Sequence, residues 1–169
     1  IYNTLLLEII SIFSLLMNKL RWTLCPFSEL KPSALYAILQ LRNEVFVVEQ
    51  NCVFQDADGK DEACLHLQGY DPKGKLIAYS RIVPPGVSYL EASIGRVVTS
   101  PAARGTGAGR ELMKQSIEEV RKLYGAVPIR IGAQSYLQKF YASFGFEIDG
   151  EEYLEDNIPH YIMLKKLLP

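Results

Sequence analysis

Thiols, imidazoles and net charge are all in short supply here, and each shortage excludes something. The 169 residues hold three cysteines, Cys25, Cys52 and Cys64, and two histidines, His66 and His160. An odd number of thiols without paired spacing builds neither a disulfide framework nor a four-ligand zinc site, so reduced thiols in a reducing, cytoplasmic setting are expected, and no metal. Cys64-x-His66 reads as alternate residues on one face of a strand rather than as metal ligands. With 18 Lys and Arg against 19 Asp and Glu, the formal charge is −1, which gives no general attraction to nucleic acid. No membrane partner is expected either. The most apolar stretch, residues 1–16, is interrupted, contains Glu8, and lacks the basic start and cleavage site of a secretory leader. That stretch is expected to lie outside a single domain of residues 17–169, with Met17 as a natural start; the alternative is an added helix packing on the domain or on a second copy in a homodimer.

What is present is enough for a full core, since 49% of the residues are hydrophobic. Residues 20–24 alternate as an opening strand, and a helix begins near Pro32-Ser33 with an apolar stripe of Leu35, Ile38, Leu39, Val45 and Phe46. Arg42 falls inside that stripe and Glu49 continues it. An inward charge must be paired or meet a ligand, so Arg42 is either one end of a buried bridge or part of a binding wall. The loop over residues 51–62, with Asp56, Asp58, Asp61 and Glu62, reads as solvated. Residues 63–70 and 75–83 flank Asp71-Pro72-Lys73-Gly74 as a β-hairpin. Another strand covers residues 89–98. A helix after Gly109 buries Leu112, Met113, Ile117, Val120 and Tyr124, and Gly125 ends it. A strand at residues 129–132 leads to a second helix announced by the capping pattern Ser135-x-x-Gln138, with an inward stripe of Leu137, Phe140, Tyr141 and Phe144. The last strands are placed at 146–149 and 160–164, around a second acidic cluster of Glu151, Glu152, Glu155 and Asp156.

Between the strand Ile94-Gly95-Arg96-Val97-Val98 and the long helix stands the turn Arg104-Gly105-Thr106-Gly107-Ala108-Gly109. A glycine turn ahead of a helix N-terminus suits a phosphate, which meets unpaired amides and the positive end of the helix dipole. It is no P-loop, because Arg110-Glu111 stands where Lys and Ser or Thr belong. It is no dinucleotide fingerprint either, because Gly105, Gly107 and Gly109 alternate strictly.

Arg104, Gly107 and Gly109 do satisfy Arg-x-x-Gly-x-Gly, and this resembles the acyl-CoA pyrophosphate loop of the GCN5-related N-acetyltransferases. The run Gln-Ser-Tyr-Leu-Gln-Lys-Phe-Tyr-Ala-Ser-Phe-Gly-Phe at 134–146 is similar to that family's second motif. Arg42-Asn43-Glu44-Val45-Phe46-Val47-Val48-Glu49-Gln50 and Ile158-Pro159-His160 resemble its ElaA-like branch. The resemblance covers residues 17–166. It implies an α/β fold with a central mixed, mostly antiparallel sheet flanked by helices and splayed where acyl-CoA enters.

The same resemblance implies transfer of acetyl from acetyl-CoA to a primary amine of a small molecule or peptide, by direct attack in a ternary complex. Residues Arg104, Gly105, Thr106, Gly107, Ala108, Gly109 and Arg110 then hold pyrophosphate. An amide near Val97 and Val98 polarises the thioester, and Tyr141 stands near the sulfur as general acid. Gln134 occupies a position where many members carry Asn, which leaves its contact with the cofactor arm open. Glu91, His66 and His160 are the candidates for the base. Arg42, Phe46, Glu49 and His66 are the candidates for the acceptor wall, and the acidic loops favour a cationic acceptor. Two alternatives stand beside this one: a non-catalytic acyl-CoA sensor, and an acyltransferase like the acyl-homoserine-lactone synthases.

Overall fold

The computed structural model describes residues 20–166; the expected extension at 1–16 lies outside them. Among the described residues, eight strands form one sheet: β1 (Arg21–Pro26), β2 (Leu65–Tyr70), β3 (Leu76–Val83), β4 (Ala92–Thr99), β5 (Ile129–Gln134), β6 (Glu147–Ile148), β7 (Tyr153–Glu155) and β8 (Ile158–Lys165). Their order is β1-β2-β3-β4-β5-β8-β6, with β7 also on β8. Every pairing is antiparallel except β4 with β5. No described helix is long and apolar enough to cross a membrane.

Alternation along β3 sets the layers, because successive side chains leave a strand on opposite faces. Tyr79 packs with Ile38, Leu41 and Val45 of the first helical segment, which is α1 (Pro32–Arg42) continued by a π-helix at Asn43–Glu49. Ile82 faces the other way, into the cluster of Met113, Ile117 and Val120 from α2 (Ala108–Tyr124). Ser80, also on that side, shares a 2.8 Å hydrogen bond with Ser116, whose hydroxyl donates to the Leu112 carbonyl at 2.7 Å. These buried hydroxyls are therefore satisfied within the core.

Three sequence expectations need correction. The α1 stripe runs through Ile38, Leu41, Arg42 and Val45, leaving Leu39 exposed, because these four keep the three-and-four spacing into the π segment. The Ser135–Gln138 capping box does not form: a 3-10 turn at Ser135–Leu137 precedes α3 (Gln138–Ala142), and the Ser135 hydroxyl has no partner. The second acidic cluster conceals a hairpin. Asp156 and Asn157, at φ 50° and 64°, turn β7 into β8, as a two-residue type I′ turn requires.

Two departures from regularity open the sheet. Between Arg81↔Gly95 and Tyr79↔Val98, β4 spends one residue more than β3, and Arg96 sits there at φ 50°. An added residue of this kind bends its strand. The parallel pairing of β4 with β5 covers Ala92↔Ile129 and Ser93↔Arg130 only, after which β4 runs on to Thr99 and β5 to Gln134. A cleft lies between them.

Candidate active site

The amides of the anion loop are positioned by its backbone. Gly105 and Gly107 take φ 74° and 90°, in the left-handed region that disfavours a Cβ. The Thr106 hydroxyl donates to the Ala103 carbonyl at 2.7 Å and accepts from the Ala108 amide at 3.4 Å. Gly107 accepts from Glu111, while the amides of Gly109 and Arg110 keep no partner among the described residues. These unpaired donors at the positive end of the 17-residue helix α2 suit an anion. Arg110 lies over the Phe144 ring and donates to the Ser143 hydroxyl at 3.1 Å.

Two cavities occupy the cleft. The smaller, about 350 Å³, runs from this loop along β4 and is bordered by Val97, Val98, Arg104, Gly109, Gln134 and Tyr141, with Glu49 at its mouth. The larger, about 490 Å³, lies beyond and is bordered by Tyr89, Glu155, His160 and the loop after the π segment. Phe46, Gln50, Val97, Gln134, Leu137 and Tyr141 line both. Past Ser93, β4 has no β5 pairing among the described residues, and its stretch from Ile94 to Val97 borders this space.

Tyr141 stands at the junction. It is 7% exposed, it packs edge-on against Phe140 and Phe146, and its hydroxyl has no hydrogen bond to the described protein. Burial pushes its phenol well above the ordinary tyrosine value, so it remains protonated across the neutral range.

His160 borders the larger cavity, and its Nδ1 donates to the Ile158 carbonyl at 2.7 Å. In a neutral imidazole that assignment leaves Nε2 as a proton acceptor. Behind it, Tyr153 and Tyr89 place their hydroxyls 3.0 and 3.4 Å from where a Cβ on Gly132 would stand, so a larger residue would crowd both.

Arg42, His66 and Glu91 border neither cavity. Arg42 is fully buried, its Nε and Nη2 donating to the Asp56 carboxylate and carbonyl at 2.7 and 2.9 Å and its Nη1 to Asp61 at 2.8 Å. Of its two sequence readings, the buried bridge is the one that forms. His66, also fully buried, has Nε2 against the Asp61 carbonyl at 3.1 Å, so Nε2 donates and Nδ1 accepts from Tyr79 at 2.8 Å. Burial lowers its pKa. Glu91 is gripped by Nη2 and Nε of Arg130 at 2.8 and 3.0 Å, which holds its carboxyl below the usual range.

The loop at 51–62 is not the solvated strip that its composition suggests. Asp56, Asp58 and Asp61 meet Arg42, Arg81 and Arg96 in one network spanning α1, β3 and the β4 bulge. Burial raises the pKa of Asp58 and Asp61, but the adjoining guanidinium groups outweigh it and hold both carboxyls low. Arg81, Arg96 and Gln50 border the cavities without having been singled out in the sequence. Gln50 stood there only at the end of the Arg42–Gln50 motif, and Arg96 only within the strand ahead of the glycine turn. Of the two buried thiols, Cys52 borders the larger cavity; Cys64 borders neither and is pushed up by burial. Among the described residues no cluster of three or more His, Cys, Asp or Glu side chains is placed to hold a metal ion.

Comparison with known proteins agrees with this geometry. Residues 45–167 match the Acetyltransferase (GNAT) domain family. Protein ElaA of Escherichia coli is 42% identical over 151 residues, covering 88% of this chain and 98% of ElaA. A UPF0039 protein of Synechocystis is 40% identical, with 89% and 98% covered. A crystal structure of an acyl-CoA N-acyltransferase from Pseudomonas aeruginosa superposes with a TM-score of 0.83 at 42% identity, over 87% of this chain and 99% of that one. A splayed sheet, an anion loop ahead of α2 and this degree of likeness lead to one statement: the chain belongs to the GNAT acetyltransferase family, in its ElaA-like branch.

Proposed function

We propose that this protein moves the acetyl group of acetyl-CoA onto a primary amine by direct attack within a ternary complex. The observation that carries the proposal is Tyr141, a buried phenol without a partner among the described residues, at the junction of an anion-loop cavity and a second, larger one. The loop amides from Gly105 to Arg110, with Arg104, would hold the pyrophosphate, and the cofactor arm would follow the open edge of β4. An amide near Val98 then polarises the thioester carbonyl, whose developing negative charge is where a fixed donor helps most. The amine enters from the larger cavity and attacks the carbonyl carbon. The C–S bond breaks as the new C–N bond forms.

An alkylamine with a pKa near about 10.4 must lose a proton before or during attack. His160 is the base candidate that borders the larger cavity, with Nε2 free to accept through water. Tyr141 serves the other end. Its raised pKa lies above the thiol value of about 8.5, so complete proton transfer to sulfur runs uphill and its main service is a hydrogen bond to the departing thiolate. The acceptor is proposed to be cationic on account of Glu155 and Asp156, since Asp58, the other acid at the cavity, is neutralised by Arg81.

The test is release of CoA thiol from acetyl-CoA across a panel of polyamines, aminoglycosides and lysine peptides, with wild type and Tyr141→Phe. We expect one amine class to react, and the variant to be slowed about ten- to a hundredfold, the worth of one hydrogen bond to a charged group. Tight acetyl-CoA binding with no thiol from any amine would favour a sensor instead. An acetyl-enzyme on the reaction path would overturn direct attack.

A further inference from the structure

Two neighbouring side chains at the end of the π segment reach across the mouth of the smaller cavity. Glu49 meets Arg104 through two parallel contacts, Nη1 to Oε1 and Nη2 to Oε2, each 2.7 Å. Gln50 and Gln134 form a reciprocal amide pair, with Nε2 of each donating to Oε1 of the other at 3.3 and 3.2 Å. The partners come from opposite banks of the cleft. Arg104 belongs to the anion loop and Gln134 ends β5, and all four residues border the smaller cavity. A carboxylate held by both prongs of a guanidinium occupies the donors that a phosphate would use. The Gln50 amide likewise engages both the donor and the acceptor of Gln134.

We infer that Glu49 and Gln50 form a two-point clasp that competes with acyl-CoA for Arg104 and Gln134, so that cofactor binding replaces the Glu49–Arg104 and Gln50–Gln134 contacts. This rests on the acyl-CoA reading above. Both contacts are suited to replacement. The ion pair is exposed on both sides, 46% for Arg104 and 41% for Glu49, and pairs of that kind are weak. A pyrophosphate brings more charge to Arg104 than one carboxylate can. The amide pair is longer than an ideal hydrogen bond on both sides. The clasp makes Glu49 and Gln50 determinants of cofactor affinity from outside the loop motif, and it divides the work: Glu49 opposes the phosphate end and Gln50 the arm.

Calorimetric titration of CoA, and of pantetheine as a probe without pyrophosphate, into wild type, E49Q and Q50A separates the parts. We expect E49Q to bind CoA about two- to fivefold tighter, the scale of one exposed ion pair, with pantetheine affinity unchanged. Q50A should tighten both probes by a similar factor. In an Arg104→Ala background the E49Q gain should vanish. Unchanged or weaker CoA binding in E49Q would overturn the clasp and make Glu49 a residue that positions Arg104. A gain in pantetheine affinity from E49Q would also overturn it, because the carboxylate would then oppose the arm rather than the phosphate. Wild type binding neither CoA nor pantetheine would instead sink the acyl-CoA reading itself, a result distinct from either of these.

Discussion

Arg42 carries a permanent charge at 0% exposure, and its contacts show which job it does. All three of its nitrogens are spent on Asp56 and Asp61, which closes it to any ligand. Removing one partner from a buried ionic cluster leaves the others uncompensated, a cost of about 3–5 kcal/mol. Arg42→Ala should therefore lose about that much stability in urea titration. Arg42→Lys should recover little of it, since an ammonium cannot reproduce the fork. A loss below about 1 kcal/mol would show that Arg81 and Arg96 suffice for the three carboxylates. From the sequence, an inward Arg could be read from helical spacing alone. Its partners could not, because they lie 14 and 19 residues further on, in a loop whose composition looks solvated.

At the scale of elements, the glycine turn and α2 behave as one unit, and Gly107 and Gly109 have different reasons to be glycine. Gly107 stands at φ 90°, where a Cβ costs roughly 1–2 kcal/mol. Gly109 has ordinary backbone geometry, and an added Cβ would meet Thr99 and Phe140 at 3.9 and 4.0 Å, a normal contact. Gly107→Ala should thus lower both the unfolding midpoint and CoA affinity, while Gly109→Ala should keep the midpoint and lose affinity by narrowing the cavity. Thermal melts and CoA titration on the two variants check this. Equal midpoints for both would contradict the backbone argument. Elements of this sort were legible where the signal is local: the α2 stripe follows the helical period, and Asp71 caps its turn by accepting from the Lys75 amide at 2.8 Å. Signals that depend on distant partners were not. The bulge at Arg96 leaves no mark in composition, and the β7–β8 turn at Asp156-Asn157 was hidden among acids that also suit a loop. Likewise the family motifs located Tyr141 and the anion loop, but nothing local pairs Gln50 with Gln134 across 84 residues.

For the whole molecule, buried titratable groups set the response to acid. His66 has its pKa lowered by burial, so the unfolded chain takes up a proton near its ordinary value of about 6.5 before the folded chain does. Stability then falls as pH drops through that value. Asp58 and Asp61 have lowered values, so their contribution is present above the unfolded carboxylate value of about 3.9 and is lost as pH falls through the folded ones. The unfolding midpoint should decline in two stages, one between about pH 7 and 5.5 and one below about pH 4. His66→Gln should flatten the first stage and keep the second. A midpoint constant from pH 7 to 5.5 in the wild type would refute the assignment to His66.

The parallel joint between β4 and β5 is two residue pairs long, and the cleft opens beyond it. Met113, Ile117 and Val120 pack in one cluster with Ile82 and Ile94 on one bank and Ile129 and Ile131 on the other. The core therefore also joins the two banks of the cleft. Heritable changes that retune robustness and those that retune the aperture fall on the same side chains, so a lineage carrying this fold adjusts the two together.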